Sequence, residues 1–196
     1  MPPPFSGEEA LAVILAGTTM PREEYNDLLV KFIADAEKSP GIKDRVRLML
    51  VGSANDDVGL VRVMEGGKAL VVADNLCFGS RFYSDRVEEE GDPVFELSRR
   101  YLGHNECPRM YGDYRRRLDS LTQKVDKAKI DGVILQNIRF CDLHGAENGL
   151  FERDLEAKGI PCMRLEREYG PLVETGRMKM RVDAFIERIK QRRAVA

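Results

Sequence analysis

Four short apolar runs follow residue 40, and polar stretches with helical spacing separate them. Runs of this length between turn residues are typical of buried strands, and their alternation with helices indicates a parallel sheet covered on both faces. The predicted strands cover residues 45–51, 69–73, 132–138 and 161–165. Because such crossovers are right-handed, we predict an α/β protein with a doubly wound, flavodoxin-like or Rossmann-like sheet of about four parallel strands.

Helical patterns occupy most of the remaining chain. Apolar residues three and four positions apart, acidic residues at helix starts, and Gly or Pro at helix ends mark their limits. The predicted helices cover residues 8–17, 21–38, 56–64, 94–102, 113–127, 145–158 and 174–190. The first two precede every strand, so we expect a helical linker or appendage over residues 1–40 and an α/β domain over residues 41–196.

Composition narrows the class of protein. The 196 residues carry 31 basic and 33 acidic side chains, a net charge of −2, and no Trp, which gives no support for a nucleic-acid partner. Apolar stretches fall short of the roughly 18 residues of a membrane span. The N-terminus lacks the pattern of a signal peptide. Four cysteines are too few for a disulfide scaffold, so we expect a cytoplasmic protein without a membrane partner.

Familiar catalytic signatures are missing. The turn Gly52-Ser53-Ala54-Asn55 lacks the glycine spacing of a dinucleotide site, and the chain has no Walker sequence. With two histidines and no Ser-His-Asp order, a hydrolytic triad is improbable. The cysteines are therefore the main candidates for chemistry.

Two cysteines follow predicted strands. Cys77 comes after the second strand and Cys141 after the third. Ligands of open α/β sheets bind outside the carboxyl ends of the strands, so both thiols could face one crevice. Cys141 also precedes a helix, whose positive end favours the thiolate that binds iron or zinc. Cysteine is equally a small buried hydrophobe, and without a C-x-x-C pair the spacing leaves both interpretations open.

The other two cysteines give weaker signals. Cys162 lies in an apolar strand and is expected in the core. Cys107 follows His104 at a spacing that zinc sites use, although a single such pair is little evidence. His144, three residues after Cys141, is expected to cap or line the following helix.

Beyond single residues, several sequence words resemble one family. Gly67 to Arg81, which contains VVADNLCFGSR, and Gly132 to Asp142, which ends in Phe-Cys-Asp, are similar to the iron–sulfur subunits of 2-hydroxyacyl-CoA dehydratases and benzoyl-CoA reductases. The resemblance covers nearly the whole chain from about residue 6. Its last part consists of Gly159-Ile160-Pro161, Leu165-Glu166, Arg167-Glu168-Tyr169, Thr175-Gly176-Arg177 and Arg181 to Phe185.

The resemblance implies a mechanism for the full-length enzyme. In that family, related subunits pair, and each holds a [4Fe–4S] cluster through cysteines from more than one domain. A separate ATP-hydrolysing activator delivers a low-potential electron, which passes to an acyl-CoA thioester. Cys141 corresponds to the cysteine of the Phe-Cys-Asp word, so it is the best ligand candidate for the cluster metal. Cys77 is a doubtful ligand and could only line the site.

The resemblance also implies an incomplete site. A cluster needs three or four thiolates, and this chain offers one good candidate and one doubtful one. We therefore expect the C-terminal domain of a longer subunit, inactive and without a cluster when alone. Arg81, Arg139 and Arg177 are candidate contacts for the acyl-CoA. The alternative is a non-catalytic, flavodoxin-like binding or assembly domain, and the choice between dehydration and ring reduction stays open.

Overall fold

A single parallel sheet organises the described part of the chain. The computed structural model describes residues 2–104, 106–170 and 175–195. The strands lie in the order β2-β1-β3-β4, all pairs being parallel, which confirms the predicted α/β fold with a four-stranded, doubly wound sheet. The strands are β1 (Val46–Gly52), β2 (Ala69–Leu76), β3 (Gly132–Ile138) and β4 (Cys162–Arg167).

Helices cover both faces of this sheet. They are α1 (Gly7–Thr19), α2 (Arg22–Lys38), α3 (Val58–Glu65), α4 (Ser80–Tyr83), α5 (Pro93–Gly103), α6 (Tyr114–Ala128), α7 (Asp142–Ala157) and α8 (Thr175–Val195). The short α4 lies outside the ranges predicted as helical. Helix α7 begins at Asp142 rather than at residue 145, because the amide of Gly145 already donates to the carbonyl of Cys141. The predicted start of the last helix, residue 174, lies outside the described residues.

Successive side chains of β1 and β3 point to opposite faces of the sheet, so each face carries its own part of the hydrophobic core. Leu48, Leu50 and Ile134 face α1, α3 and α8, and they pack in a cluster with buried residues such as Met64. The residues between them point the opposite way. Met49, Val51, Val133 and Leu135 pack against Leu118, Leu121, Phe151 and Leu155 of α6 and α7. Burial of each large aliphatic side chain contributes about 1.5–3 kcal/mol, so both layers stabilise the sheet.

Helix α1 is tied to the sheet by one buried carboxylate. Oε1 of Glu65 accepts hydrogen bonds from the amides of Gly7 at 2.8 Å and Val71 at 3.0 Å. Its burial raises the pKa of the Glu65 carboxyl group. A Cβ atom at position 7 would lie 2.5 Å from the carbonyl oxygen of Val71, so the close approach of α1 to β2 requires glycine at this position. The division between residues 1–40 and 41–196 stays a prediction, and α1 packs on α3 and β2.

The carboxyl end of β1 is closely packed against β3. Gly52 has φ +140°, and a Cβ atom there would lie only 1.7 Å from the carbonyl oxygen of Gln136. This contact lets the β1 and β3 ends converge where the loops after β2 and β3 begin.

The helices that the structure describes include none with the length and apolar character of a membrane span.

Candidate functional site

The loop that carries Cys77 is fixed by a carboxylate. Oδ1 of Asp74 accepts from the amides of Leu76 at 3.1 Å and Ser80 at 2.7 Å, and the Ser80 hydroxyl donates to the Asp74 carbonyl oxygen at 2.7 Å. A Cβ atom at Gly79 would lie 2.1 Å from the same carboxylate oxygen. These contacts form a tight turn that holds Cys77 at the end of β2.

Arg81 joins Cys77 to the neighbouring chain segments. Its Nη2 donates to the Cys77 sulfur at 3.1 Å and to the Gly52 carbonyl oxygen at 2.9 Å, and its Nη1 donates to the Glu106 carbonyl oxygen at 3.3 Å. Burial raises the pKa of the Cys77 thiol, and this effect exceeds the opposing effect of the Arg81 charge. Cys77 is therefore a protonated, well-anchored thiol.

Cys77 and Cys141 follow the carboxyl ends of two parallel strands, β2 and β3. Cys107 and Cys141 also lie near enough to Cys77 to contribute to the raised pKa of its thiol, after the larger effect of burial. Cys107 comes from the loop between α5 and α6, 30 positions beyond Cys77, and periodicity alone did not place it there. His104 was its suspected partner, yet its ring nitrogens face the Asp85 carboxylate and the Arg81 carbonyl oxygen.

The loop that carries Cys141 is open and strained. Cys141 is the residue before α7 and donates its amide to the Ile138 carbonyl oxygen at 2.9 Å. Phe140 has φ +66° and is 90% exposed, so this aromatic residue holds a left-handed conformation without burying its ring. A cavity of about 450 Å³ opens beside Phe140 and Cys141, and Gly145 and Glu166 lie on its walls. The half-buried Cys141 therefore borders this cavity at the start of a helix.

A buried histidine lies between the two loops. His144 is 4% exposed, and within the described residues neither ring nitrogen has a hydrogen-bond partner. Burial, followed by the charges of Arg81 and Arg117, lowers the pKa of His144 to about 4. Arg117 in turn forms a buried ion pair with Glu147, with Nε 3.0 Å from the carboxylate. The imidazole is neutral, and the ion pair fastens α6 to α7.

The remaining candidates from the sequence lie in different surroundings. Arg139 forms ion pairs with Glu166 and Glu168 at the surface, and Arg177 is exposed in the first turn of α8. Arg81 contacts the Cys77 sulfur, and Arg139 lies on the wall of the cavity that Cys141 borders. Cys162 is 3% exposed and packs in the core as predicted, and burial raises the pKa of its thiol to about 12.

The donor set does not fit a complete metal cluster. Across residues 2–104, 106–170 and 175–195, no group of three or more His, Cys, Asp or Glu side chains is arranged to hold a metal ion. A [4Fe–4S] cluster requires three or four thiolates. The donors among the described residues therefore do not fit a complete cluster.

Comparison with known proteins identifies the family. The model of the family "2-hydroxyglutaryl-CoA dehydratase, D-component" matches residues 1–189. The chain is 25% identical over 122 residues to the beta subunit of (R)-phenyllactyl-CoA dehydratase from Clostridium sporogenes, which covers 62% of this chain and 32% of that protein. It is 26% identical to the putative dehydratase subunit YjiM of Escherichia coli K12, with 95% of this chain and 50% of that protein covered.

A reductase is also among the similar proteins. One of the subunits of benzoyl-CoA reductase from Thauera aromatica is 29% identical over 132 residues, which cover 65% of this chain and 34% of that protein. The chain thus spans between about a third and a half of the length of these curated relatives. Since the family model covers nearly every residue, the chain belongs to the 2-hydroxyglutaryl-CoA dehydratase D-component family.

Proposed function

We propose that this chain is the C-terminal domain of an iron–sulfur subunit of a 2-hydroxyacyl-CoA dehydratase or benzoyl-CoA reductase, and that Cys141 is the cluster ligand it contributes. The position of Cys141 carries the proposal. Its thiol lies at the carboxyl end of β3, before the 16-residue helix α7, beside an open cavity. Ligands of open α/β sheets bind outside the carboxyl ends of the strands, which is where this thiol lies.

The surroundings of Cys77 support a different role for it. Its thiol is protonated by burial and is already hydrogen-bonded to Arg81. Ligation would require Cys77 to turn away from the guanidinium that now donates to its sulfur. We therefore assign Cys77 to the wall of the site and Cys141 to the metal.

The proposal places the remaining ligands outside this chain. The subunit would pair with a related sister subunit, receive electrons from an ATP-dependent activator and act on an acyl-CoA thioester in the cytoplasm. This chain alone would be inactive and without a cluster. The beta-subunit name of the (R)-phenyllactyl-CoA dehydratase relative supports a multi-subunit enzyme, and the donors among the described residues, which do not make up a cluster site, support a site shared with another domain.

The arginines are proposed acyl-CoA contacts. Arg81 presents its guanidinium beside Cys77, while Arg139 lies beside the Cys141 cavity with a side chain that is 52% exposed. Arg177 is exposed at the start of α8. In the full-length enzyme, Arg139→Met and Arg177→Met should raise the KM for the acyl-CoA and leave the iron content unchanged. An unchanged KM in both variants contradicts the assignment.

The ligand assignment is tested in the full-length subunit with anaerobic iron and sulfide reconstitution. We expect the Cys141→Ser variant to lose iron or to change the EPR spectrum of the cluster. Cys162→Ser is the matched control, because that thiol is buried in the core. Cys77→Ser should retain the cluster. An unaltered iron content and spectrum in Cys141→Ser would remove Cys141 as a ligand.

A second candidate function is a non-catalytic binding or assembly domain of flavodoxin-like fold, which the four-stranded parallel sheet also fits. The same reconstitution separates the two. A wild-type full-length subunit that takes up no iron, and converts no acyl-CoA with its partner and activator, supports the non-catalytic domain.

A further inference from the structure

A mostly apolar cavity of about 390 Å³ lies beside the edge strand β2. Its walls are the segment 2–6, the first half of α1 and the middle of β2. The chemistry of the lining differs from that of the Cys141 cavity, whose walls carry charged and amide side chains. Its apolar wall residues include Phe5, Ala10, Ile14, Val71 and Val72.

The opening in the wall originates in the pairing of β1 with β2. Leu48 pairs with Val71 but Met49 pairs with Ala73, so Val72 is an extra residue at a bulge. Bulges bend a strand and re-aim its side chains. Residues 71–74 are consequently half-buried between fully buried neighbours, although three of the four are apolar. On the facing helix, the small side chain of Ala10 leaves room against this strand.

Helix α1 contacts the rest of the fold at both of its ends. At one end, Glu65 bonds the amides of Gly7 and Val71 and fixes the start of α1 on the strand. At the other end, the Tyr83 hydroxyl donates to the Ile14 carbonyl oxygen at 3.0 Å. Both ends of α1 are therefore anchored, and the cavity lies beside the part of the helix between them. Preformed apolar cavities of about 300–1,000 Å³ are typical of small-molecule sites.

We propose that this cavity binds a small neutral apolar molecule, of the class of a substituted aromatic ring. The two charged side chains at its walls, Asp74 and Arg47, are engaged in bonds within the chain. Oδ1 of Asp74 accepts from the Leu76 and Ser80 amides, and Nε of Arg47 donates to the Ala128 carbonyl oxygen at 2.9 Å. A charged ligand would gain little there, whereas a ring would replace water along apolar walls. Binding in this cavity does not depend on the proposed function.

The test uses the ¹⁵N-labelled chain titrated with indole and with benzyl alcohol. Binding in the cavity should shift the backbone amides of Ala10, Val72 and Ala73 in a saturable way. Ala10→Met fills the cavity and should raise the Kd roughly tenfold or more. Ala12→Met is the matched control, since Ala12 is exposed on the same helix, and its Kd should stay within about twofold of wild type.

Several results would overturn the proposal. These are the absence of saturable shifts, shifts confined to amides away from α1 and β2, and an Ala10→Met variant that binds as tightly as wild type. If Ala10→Met fails to fold, the location of the wild-type shifts decides by itself. A polypeptide segment as the true occupant would appear as a failure of both probes.

Discussion

The two loops that carry Cys77 and Cys141 occupy equivalent places after parallel strands of one sheet, yet they are built in opposite ways. The Cys77 loop is closed by Asp74, Ser80 and Arg81, and its half-buried thiol accepts a hydrogen bond from Arg81. The Cys141 loop is open, and the exposed Phe140 precedes its half-buried cysteine in a left-handed conformation. Two thiols at equivalent strand ends are therefore held differently by their neighbours.

The two loops are also stabilised by contacts in different parts of the molecule. Local hydrogen bonds between residues 74 and 81 hold the Cys77 loop. The Cys141 loop depends on the helix behind it, which the buried Arg117–Glu147 pair fastens to α6. Changes at these positions should thus affect stability by different routes.

The largest effect is expected from Glu147→Gln on the Cys141 side. It leaves the guanidinium of Arg117 buried without its counter-charge, and breaking a buried pair in this way costs about 3–5 kcal/mol. Denaturant unfolding measures the loss. Glu166→Gln is the control, because its ion pair with Arg139 is exposed and should contribute about 0–1 kcal/mol. Equal losses in both variants would show that the buried pair does not fasten α7.

The second effect depends on pH and on His144, where the two loops meet. Arg81 and Arg117 face this imidazole, and Glu147 neutralises the second of them. An unfolded histidine protonates near pH 6.5, whereas the folded one protonates near pH 4, so stability is lost as the pH falls between these values. The loss from this group should approach about 3 kcal/mol.

His144→Gln should remove this part of the pH dependence, and His104→Gln should leave it in place. The free energy of unfolding, measured from pH 7 to pH 4, gives the comparison. Glu65 acts in the opposite direction, because its raised pKa adds stability as the pH falls. The difference between wild type and variant is therefore the quantity to compare. A His144→Gln profile parallel to wild type would contradict a neutral buried imidazole.

The third effect is specific to the closed loop. Gly79→Ala places a Cβ atom against Asp74 and should displace the carboxylate that binds two amides, a loss of about 1–3 kcal/mol. The matched change on the open side is Gly145→Ala in α7, where a Cβ atom meets nothing within 4 Å. That variant should gain up to about 1 kcal/mol from helix propensity. Changes of the same sign in thermal unfolding would remove the contrast between the loops.

The sequence predicted these loops only in part. The apolar runs before Cys77 and Cys141 gave the strands, and parallel order then brought both cysteines to one end of the sheet. Periodicity does not reveal contacts between distant segments. Two examples are the position of Cys107 near Cys77 and the hydrogen bond from the Gly7 amide to Glu65. Both join residues that meet only after the sheet has formed.

The smallest effect tests the strain in the open loop. Phe140 is 90% exposed and has φ +66°, so replacing it with glycine removes a disfavoured conformation and almost no buried surface. A left-handed non-glycine residue costs about 1–2 kcal/mol, and the greater flexibility of glycine in the unfolded chain offsets part of this. Phe140→Gly should therefore raise the free energy of unfolding by about 0.5–1 kcal/mol.

The same replacement in a helix should have the opposite sign. Phe95 is 63% exposed within α5, and Phe95→Gly should lower stability by about 0.5–1 kcal/mol because glycine is a poor helix former. The denaturant midpoints of the two variants can be compared directly, because both phenylalanine rings are mostly exposed and their removal loses little buried surface. If Phe140→Gly is destabilising as well, the left-handed turn is not strained. The open form of the Cys141 loop would then arise from the cavity and not from a conformation imposed on the neighbour of the cysteine.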